Sequence, residues 1–538
     1  MRTRLHELVL DAATRRPGSP AVTVKDTTLS YAELGQAVCA VGAGLRRIGL
    51  RRGDRVAVYL DKRVETVPAL FGTSAAGGVF VPVNPLLRAR QVGHILADCT
   101  VRVLITTAQR LELLGDVLDE CKSVEHVVLV DEPRPPAAHR CPTTGWDELT
   151  AGACGPVDPG AIDLDMAAIL YTSGSTGRPK GVVLSHRNLL AGAESVSRYL
   201  QQRADDVILA ALPLSFDAGF SQLTTGFQVG AHVVLVNYLL PADVVRLCAR
   251  HAVTSLTCVP PLWIQLADQQ WPAAATRGLR YFANTGGRMP RATLDKLRAI
   301  FPHARPYLMY GLTEAFRSTY LDPAEVDRRP GSIGKAIPNA EVLVVRPDGS
   351  TCDPGEEGEL VHRGALVAMG YWNDPERTAA RFRPAPGRPD GLCTPELAAW
   401  SGDAVVRDEE GFLYFVGRRD EMIKTSGYRV SPTEIEEVVY ETGLVRDAVA
   451  LGVPDQRLGQ AVVLVVSPAD GTALDAQALR QELKRQLPPY LVPRQIVARA
   501  QLPRSPNGKF DRALLRQQAL PPSAPGPGDQ GAESGRAR

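Results

Sequence analysis

The sequence lacks a long apolar run and an excess of charge of either sign. No apolar stretch approaches bilayer length, and residues 1–20 carry charges throughout instead of the apolar core of a signal peptide. Lys and Arg together number 61 against 59 Asp and Glu, a net charge of +2. This near-balance gives no electrostatic case for a nucleic-acid or membrane partner. We therefore expect a cytoplasmic protein that binds neither.

Paired cysteine motifs are also missing. The nine cysteines are odd in number, are scattered along the chain and never show the C-x-x-C spacing of zinc or redox sites. This pattern excludes a disulfide framework and indicates reduced thiols, as in a cytoplasm.

The length and the order of the patterns predict several domains. A chain of 538 residues is too long for one hydrophobic core. The capping box Ser30-Tyr31-Ala32-Glu33 begins a helix, and strand and helix patterns then alternate, which predicts mostly parallel sheets covered on both faces. Residues 131–163, rich in Pro, Gly and Ala, are predicted to be a surface connection. Short strands with turn signals follow over residues 331–415.

We therefore predict an α/β protein with a large N-terminal domain of two α/β subdomains plus a β-rich subdomain, and a small mobile C-terminal α+β domain. The boundaries are 1–416 for the N-terminal domain, 417–421 for a hinge and 422–517 for the C-terminal domain. In the latter, Ser431 to Glu434 form a second predicted capping box, with proline at the first helical position. Residues 518–538, poor in apolar side chains, are predicted to be a disordered tail.

One stretch, Tyr171 to Gly181, has the composition of a phosphate-binding loop. Its glycines leave backbone N–H groups open to a ligand, its hydroxyl side chains add donors, and Lys180 adds a positive charge. The G-x-x-x-x-G-K-[ST] spacing of the NTPase P-loop is absent, and apolar runs on both sides predict a strand, a loop and a second strand. A Gly/Ser-rich run of this kind can also be only a linker.

With Asp165 to Leu170 before it, this stretch resembles the signature of the adenylate-forming superfamily, which contains acyl-CoA synthetases, adenylation domains of nonribosomal peptide synthesis, and luciferases. Further motifs of that superfamily recur in order from about Leu29 to Lys509. The resemblance implies an AMP-forming ligase: a carboxylate attacks the α-phosphorus of ATP, pyrophosphate leaves, and a thiol then takes the acyl group as a thioester.

The resemblance also implies roles for individual residues in ATP binding. Tyr310-Gly311-Leu312-Thr313-Glu314 is similar to the Y-G-x-T-E motif, in which Tyr310 stacks on adenine, Thr313 binds the α-phosphate and Glu314 binds Mg²⁺. A Thr-Glu pair after a strand is otherwise an ordinary helix cap. The remaining nucleotide-binding positions implied are the loop residues, the glycine pair at adenine, and two groups at the ribose: Thr172, Ser173, Gly174, Ser175, Thr176, Gly177, Lys180, Gly286, Gly287, Asp403 and Arg418.

Three further segments are implied to act during catalysis. Lys509, in the turn Pro506-Asn507-Gly508-Lys509, occupies the position of the catalytic lysine that bridges the substrate carboxylate and the α-phosphate. Asp420 is the implied hinge about which the C-terminal domain turns between the half-reactions. The segment Lys424 to Tyr428 is implied to enter the site for thioester formation.

The choice of acid is expected to depend on Phe216, Asp217 and Arg317. Amino-acid-activating relatives carry Phe-Asp at this position, where the aspartate receives the α-ammonium group of the substrate. A buried lone carboxylate is costly unless a cation meets it. That cation is either the substrate ammonium or Arg317, in which case the pair is purely structural.

The other motifs are a hybrid of two branches of the family. Residues 420–429 and Leu312 resemble acyl-CoA ligases, whereas residues 502–509 resemble peptide synthetases. We predict a ligase that loads a small amino acid such as L-proline onto a separate carrier protein in secondary metabolism. The alternatives are an AMP-forming acyl-CoA ligase for a fatty or aryl acid, and a nucleotide-binding protein without catalysis, against which the presence of Lys180, Glu314, Asp403 and Lys509 argues.

Overall fold

The computed structural model of the protein describes residues 2–131, 140–152, 160–172, 179–387, 391, 393–418, 422–469, 474–503 and 510–519. Their strands form sheets of eight, fourteen and five strands. Within these ranges, no helix combines the length and the apolar character needed to cross a membrane.

The first part of the chain precedes the phosphate loop. Its helices are α1 (Glu7–Arg15), α2 (Tyr31–Arg47), α3 (Thr66–Ala75), α4 (Ala89–Asp98), α5 (Ala108–Leu114), α6 (Asp116–Glu120) and α7 (Trp146–Thr150). Its strands are β1 (Pro20–Val24), β2 (Thr27–Ser30), β3 (Arg55–Val58), β4 (Val79–Pro82), β5 (Val103–Thr106), β6 (His126–Leu129), β7 (Thr143–Gly145) and β8 (Met166–Thr172). Helix α2 begins at the predicted capping box, in which the Ser30 side chain accepts a hydrogen bond from Glu33 N.

The predicted surface connection over residues 131–163 contains a strand and a helix, which the sequence analysis did not predict. Strand β7 adds parallel to the edge strand β6, and helix α7 then places Leu149 in the core against α2. The pairing satisfies backbone N–H and C=O groups of β6 that an edge strand leaves open. Strand β7 therefore forms without a strong apolar pattern in its own sequence.

The second part follows the phosphate loop. Its helices are α8 (His186–Tyr199), α9 (Asp217–Val229), α10 (Pro241–Arg250), α11 (Pro260–Ala267), α12 (Ala273–Thr276) and α13 (Arg291–Ile300). Its strands are β9 (Lys180–Ser185), β10 (Val207–Ala210), β11 (His232–Leu235), β12 (Ser255–Cys258), β13 (Tyr281–Asn284), β14 (Arg305–Tyr310) and β15 (Thr319–Leu321). Strands β8 and β9 are antiparallel neighbours, which confirms the two predicted strands, while residues 173–178 of the predicted loop lie outside the described residues.

The third part is rich in short strands, as predicted. They are β16 (Ser332–Ala336), β17 (Ala340–Val345), β18 (Glu357–Gly364), β19 (Gly370–Tyr371), β20 (Phe382–Pro384), β21 (Leu397–Arg407) and β22 (Leu413–Arg418), with the helix α14 (Pro375–Arg381). The C-terminal part has strands β23 (Ile423–Thr425), β24 (Tyr428–Val430), β25 (Val445–Asp455), β26 (Gly459–Pro468) and β27 (Gln495–Ala498), and helices α15 (Pro432–Glu441), α16 (Ala476–Gln486) and α17 (Arg512–Ala519).

Two sequence predictions need adjustment in the C-terminal part. Pro432 begins helix α15 as expected, but the Ser431 side chain makes no capping hydrogen bond, and Glu434 is buried at the domain interface instead of reaching back to the cap. Helix α17 runs through Ala519 and so includes the first two residues assigned to the tail. Residues 520–538 lie outside the described residues.

The sheet topology determines at which edge of the sheet the candidate site lies. The first sheet has the order β19-β9-β8-β4-β3-β5-β6-β7, and the second runs β17-β18-β21-β22-β16-β15-β14-β13-β12-β10-β11-β1-β2, with β20 beside β21. The C-terminal sheet is β24-β23-β26-β25, with β27 beside β26. Strands β11, β10, β12, β13 and β14 are parallel, so the loops after β10, β12, β13 and β14 open at one edge, where α/β proteins bind ligands. The predicted fold class is confirmed.

Candidate active site

A cavity of about 170 Å³ lies at the carboxyl ends of these parallel strands. The loops after β10, β13 and β14 line it together with the end of β8, and a segment of the C-terminal domain closes it. Most of the described residues that the sequence assigned to the site meet there: Thr172, Phe216, Asp217, Gly286, Thr313, Glu314 and Arg317. Larger grooves at the amino ends of β13 and β14 contain none of the predicted site residues.

The phosphate side of the site is an ion-pair cluster around Glu314. Lys180 Nζ lies 3.1 Å from Glu314 Oε1, and the hydroxyl of Tyr371 donates to the same oxygen at 2.5 Å. Arg381 Nε is 3.8 Å from that oxygen. Glu314 is 2 % exposed, so its charge is compensated by these groups and not by water.

The pKa values follow from this arrangement. Burial alone would raise the pKa of Glu314, but Lys180, Arg381 and Arg429 lower it well below its ordinary value. Burial lowers the pKa of Lys180 to about 8, against the opposing effect of Glu314. Because several cations surround one carboxylate, the cluster has an excess of positive charge that suits a polyphosphate.

A single carboxylate such as Glu314 fits a magnesium site only in part. Mg²⁺ prefers oxygen ligands and commonly uses one or two carboxylates together with substrate phosphates. The described residues contain no group of three or more His, Cys, Asp or Glu side chains that could hold a metal without such phosphates. In this structure Lys180 is the cation that lies beside the carboxylate of Glu314. The carboxylate could therefore hold Mg²⁺ that arrives with ATP, and that ion would supply charge neutralisation at the phosphates.

The ribose side is built from two neighbouring strands and the end of β14. Tyr310 donates a hydrogen bond to Asp403 Oδ2 at 2.5 Å, and Asp403 is 1 % exposed. Asp403 on β21 is the register partner of Arg418 on β22, so the backbones of the two residues assigned to the ribose are neighbours, and their role stays a prediction. The side chain of Arg418 lies outside the described part of the structure.

The glycine pair after β13 has the geometry expected for close backbone approach. Gly286 has φ = +75°, and a Cβ added there would lie 3.2 Å from Val259. The carbonyl of Gly287 accepts a hydrogen bond from the Asn284 side chain at 2.8 Å. A larger residue at Gly286 would be strained in its backbone and would narrow the cavity.

The acyl end of the cavity holds Asp217 and Arg317 together. Asp217 is the first residue of α9, and its Oδ2 lies 3.4 Å from Arg317 Nη1. Burial raises the pKa of Asp217, although Arg317 opposes this effect. Arg317 follows Phe316, whose φ of +57° is unusual for a bulky residue. This turn after β14 points both Glu314 and Arg317 to the site.

The loop that precedes Asp217 is held in place by residues that no sequence motif indicated. Gln222 accepts from Leu212 N and donates to Leu209 O, both at 3.2 Å. The Lys62 Nζ atom donates to the carbonyls of Ala210 and Val236, and burial lowers the pKa of this lysine to about 7. Lys62 thereby connects the first sheet to the ends of β10 and β11. A single sequence gives no signal for such contacts.

Other missed residues are Tyr371, Arg381 and Ser215. Tyr371 precedes helix α14 and Arg381 is its last residue, about sixty residues beyond the motif whose glutamate they contact. Ser215 lines the cavity next to the predicted substrate residues. Its position next to Phe216 and Asp217 was the only signal in the sequence that could have identified it.

The C-terminal domain contributes the segment from Lys424 to Arg429. The rings of Tyr428 and Phe216 meet edge to face, with centroids 4.9 Å apart. Gly427 has φ = +82° and lies so close to Val259 that an added Cβ would be 2.9 Å from that side chain. Arg90 of α4 makes a paired contact with Glu441 of α15 between the two domains.

Some predicted site residues lie outside the described residues. They are Ser173, Gly174, Ser175, Thr176 and Gly177 of the phosphate loop, Asp420 at the predicted hinge, and Lys509. Their roles remain predictions.

The chain is similar to known proteins over nearly its whole length. The model of the AMP-binding enzyme family matches residues 9–372, and that of the AMP-binding enzyme C-terminal domain matches residues 434–509. An L-proline--[L-prolyl-carrier protein] ligase of Streptomyces coelicolor is 34 % identical over 96 % of this chain and 97 % of its own. A feruloyl-CoA synthase of Amycolatopsis is 32 % identical over 93 % and 96 %.

Solved structures share the fold as well. A double mutant of o-succinylbenzoate CoA synthetase from Bacillus subtilis, bound with its product analogue OSB-NCoA, aligns with a TM-score of 0.80 and 26 % identity over 95 % of this chain and 98 % of its own. With its two matched domains and the cavity between them, the chain belongs to the AMP-binding enzyme family and is an AMP-forming acid–thiol ligase.

Proposed function

We propose that the protein activates a small amino acid with ATP and loads it onto the thiol of a separate carrier protein. In the first step the amino-acid carboxylate attacks the α-phosphorus, so that acyl-adenylate forms and pyrophosphate leaves. In the second step the thiol sulfur attacks the acyl carbon, AMP leaves and the thiol proton is released. L-Proline is the first substrate to test, since the Streptomyces coelicolor relative is named for it.

The observation that carries this proposal is Asp217. Its side chain is largely buried, 15 % exposed, at the acyl end of the cavity, and among the described residues its one cationic neighbour, Arg317, lies at the long distance of 3.4 Å. A buried carboxylate with incomplete compensation favours a cationic substrate group, and the α-ammonium of an amino acid supplies one. The neutral tail of a fatty or aryl acid supplies none.

The size of the cavity supports the same choice. The whole cavity, including the part beside the residues assigned to the nucleotide, has a volume of about 170 Å³, and buried Leu212 and Leu312 lie in its wall. This space suits a short side chain and leaves little room for a long alkyl chain.

One observation favours an acyl-CoA ligase as the second candidate. Both domains align with a synthetase bound to a coenzyme A product analogue, and the feruloyl-CoA synthase is nearly as similar as the prolyl ligase. In this second function the acid would be a small aryl acid, with Asp217 and Arg317 as an internal pair.

The two proposals differ in the acid that supports ATP–pyrophosphate exchange. We expect exchange with small amino acids and none with their des-amino analogues, fatty acids or aryl acids. Exchange with aryl or fatty acids alone would contradict the amino-acid proposal, and acyl transfer to coenzyme A in place of a carrier protein would contradict the proposed acceptor. No exchange with any acid would contradict both functions.

We further assign the present domain arrangement to thioester formation. The segment Lys424 to Arg429 closes the cavity, and Arg429 is among the cations that lower the pKa of Glu314. In this assignment Asp420 is the hinge, and the domain turns to bring Lys509 beside Thr313 for adenylation.

The assignment predicts that Gly427→Ala separates the half-reactions. The new Cβ would be 2.9 Å from Val259 and the backbone would be strained at φ = +82°. We expect thioester formation to fall by roughly 10- to 100-fold, since strain of about 1 to 3 kcal/mol opposes this arrangement, while pyrophosphate exchange stays near the wild-type rate.

Gly443→Ala is the matched control. Gly443 has φ = +67° in the same domain, but an added Cβ would meet no atom within 4 Å. Equal rates of thioester formation in the two variants would show that contact with Val259 does not matter and would contradict the assignment.

A further inference from the structure

Two buried polar atoms in the acyl end of the cavity lack a hydrogen-bond partner among the described residues. They are Ser215 Oγ and Arg317 Nε. Ser215 is 7 % exposed and Arg317 is 3 % exposed, and both line the cavity with Asp217. A buried donor without a partner costs roughly 1 to 3 kcal/mol, and more when it is charged, so these atoms favour a ligand that satisfies them.

The first condition on the ligand is that it accepts hydrogen bonds from Ser215 and Arg317. The charges at this end of the cavity impose a second condition on the ligand. Arg317 is the counter-charge of Asp217 at this end of the cavity, at a distance of 3.4 Å. When the α-ammonium of a bound amino acid takes Asp217, Arg317 remains as a buried cation without a full counter-charge. In the acyl-adenylate the former carboxylate has lost its charge, and the remaining negative charge is on the phosphate, which the proposed function places beside Thr313 and Glu314 and not beside Arg317. An uncompensated buried cation is strongly unfavourable.

From these two conditions we infer that the substrate is a small acidic amino acid, whose side-chain carboxylate is received by Arg317 and Ser215. This inference rests on the proposed amino-acid function and narrows its substrate class. Arg317 Nε and the Ser215 hydroxyl would donate to the side-chain carboxylate while Asp217 accepts from the ammonium. Charge-assisted hydrogen bonds of this kind are stronger than neutral ones and select by charge. Proline, whose pyrrolidine ring offers no acceptor beyond its carboxylate, would leave both donors unsatisfied.

The test compares isosteric substrates on the wild-type enzyme, so it needs no variant to fold. Pyrophosphate exchange is measured with aspartate against asparagine and with glutamate against glutamine, and with serine, alanine and proline as neutral references. We expect kcat/KM for the preferred acidic amino acid to exceed that for its amide by about 100-fold or more. A neutral amino acid that equals or exceeds the acidic ones would overturn the inference and leave the proposed function intact. Exchange with des-amino acids only would overturn both.

Variants then locate the selectivity. Arg317→Met should lower the ratio of kcat/KM for the acidic amino acid to kcat/KM for its amide by at least 10-fold. Ser215→Ala should lower the same ratio by roughly 3- to 10-fold. The KM for ATP should change little in either variant. Arg317→Lys keeps the charge and should retain part of the ratio. Ser221→Ala is the control, because Ser221 is a buried serine of α9 that does not line the cavity. A ratio that stays at the wild-type value in Ser215→Ala and Arg317→Met would overturn the assignment of these two residues.

Discussion

Glu314→Gln is expected to lower the rate of ATP–pyrophosphate exchange by roughly 10²- to 10³-fold. The substitution keeps the shape of the side chain but removes the charge that Lys180, Tyr371 and Arg381 surround. Loss of one partner from a buried ion pair costs about 3 to 5 kcal/mol, since the remaining charge stays buried without compensation. In the Glu314→Gln variant, Lys180 and Arg381 would also hold the phosphates of ATP in a different position.

The control for Glu314→Gln is Glu376→Gln. Glu376 carries the same carboxylate on the exposed start of α14, near the cluster but outside it. Exchange rates and thermal unfolding are measured for both variants. If Glu314→Gln folds and exchanges at a rate within about 3-fold of Glu376→Gln, the cluster does not have the role assigned to it.

A double-mutant cycle can separate the two partners. Lys180→Met alone leaves Glu314 buried beside Tyr371 and Arg381, and the combined variant removes both charges of the pair. Because the residues are in contact, we expect the effects of the single substitutions to be clearly non-additive. Additive effects would indicate that Lys180 and Glu314 act independently.

The second large effect is expected for Asp217→Ala. If Asp217 receives the substrate ammonium, its loss should cost roughly 3 to 5 kcal/mol of amino-acid recognition, as for one partner of a buried ion pair. The measurement is kcat/KM in pyrophosphate exchange for the preferred amino acid and for its des-amino analogue. We expect the first value to fall by about 10²- to 10³-fold and the second to change far less.

Two controls accompany the Asp217 variant. Asp217→Asn tests the charge without deleting the side chain, and Asp268→Ala removes an exposed carboxylate that pairs with Lys296 at the surface. The pair with Arg317 would also be broken, so thermal unfolding reports any loss of stability. An unchanged kcat/KM for the amino acid in folded Asp217→Ala would show that the pair with Arg317 is purely structural.

Local patterns in the sequence predicted much of the fold. Helix α15 begins at Pro432, the residue that was predicted to occupy the first helical position. Strands β8 and β9 and the capping box of α2 were also anticipated from neighbouring residues. By contrast, β7 was missed, since its pairing with β6 depends on a neighbour that is distant in sequence.

The sequence by itself determined the reaction class and the residues available for it. Lys180, Glu314, Tyr310 and Asp403 stand in motifs with recognisable composition and order, because each motif needs particular side chains at fixed local spacing. Which of them meet was decided only by the tertiary structure. The contact of Lys180 with Glu314 joins residues 134 positions apart, and that of Tyr310 with Asp403 joins residues 93 positions apart.

The same holds for the substrate. The sequence left open whether Arg317 or a substrate ammonium is the cation that meets Asp217, and the tertiary structure placed Asp217 and Arg317 3.4 Å apart in one cavity with Ser215. Charge compensation in a buried site depends on distance and on the absence of water, and neither quantity is encoded in a local pattern. The reaction class could therefore be predicted from the motifs, whereas the balance of charge on which the proposed choice of substrate rests exists only in the folded chain.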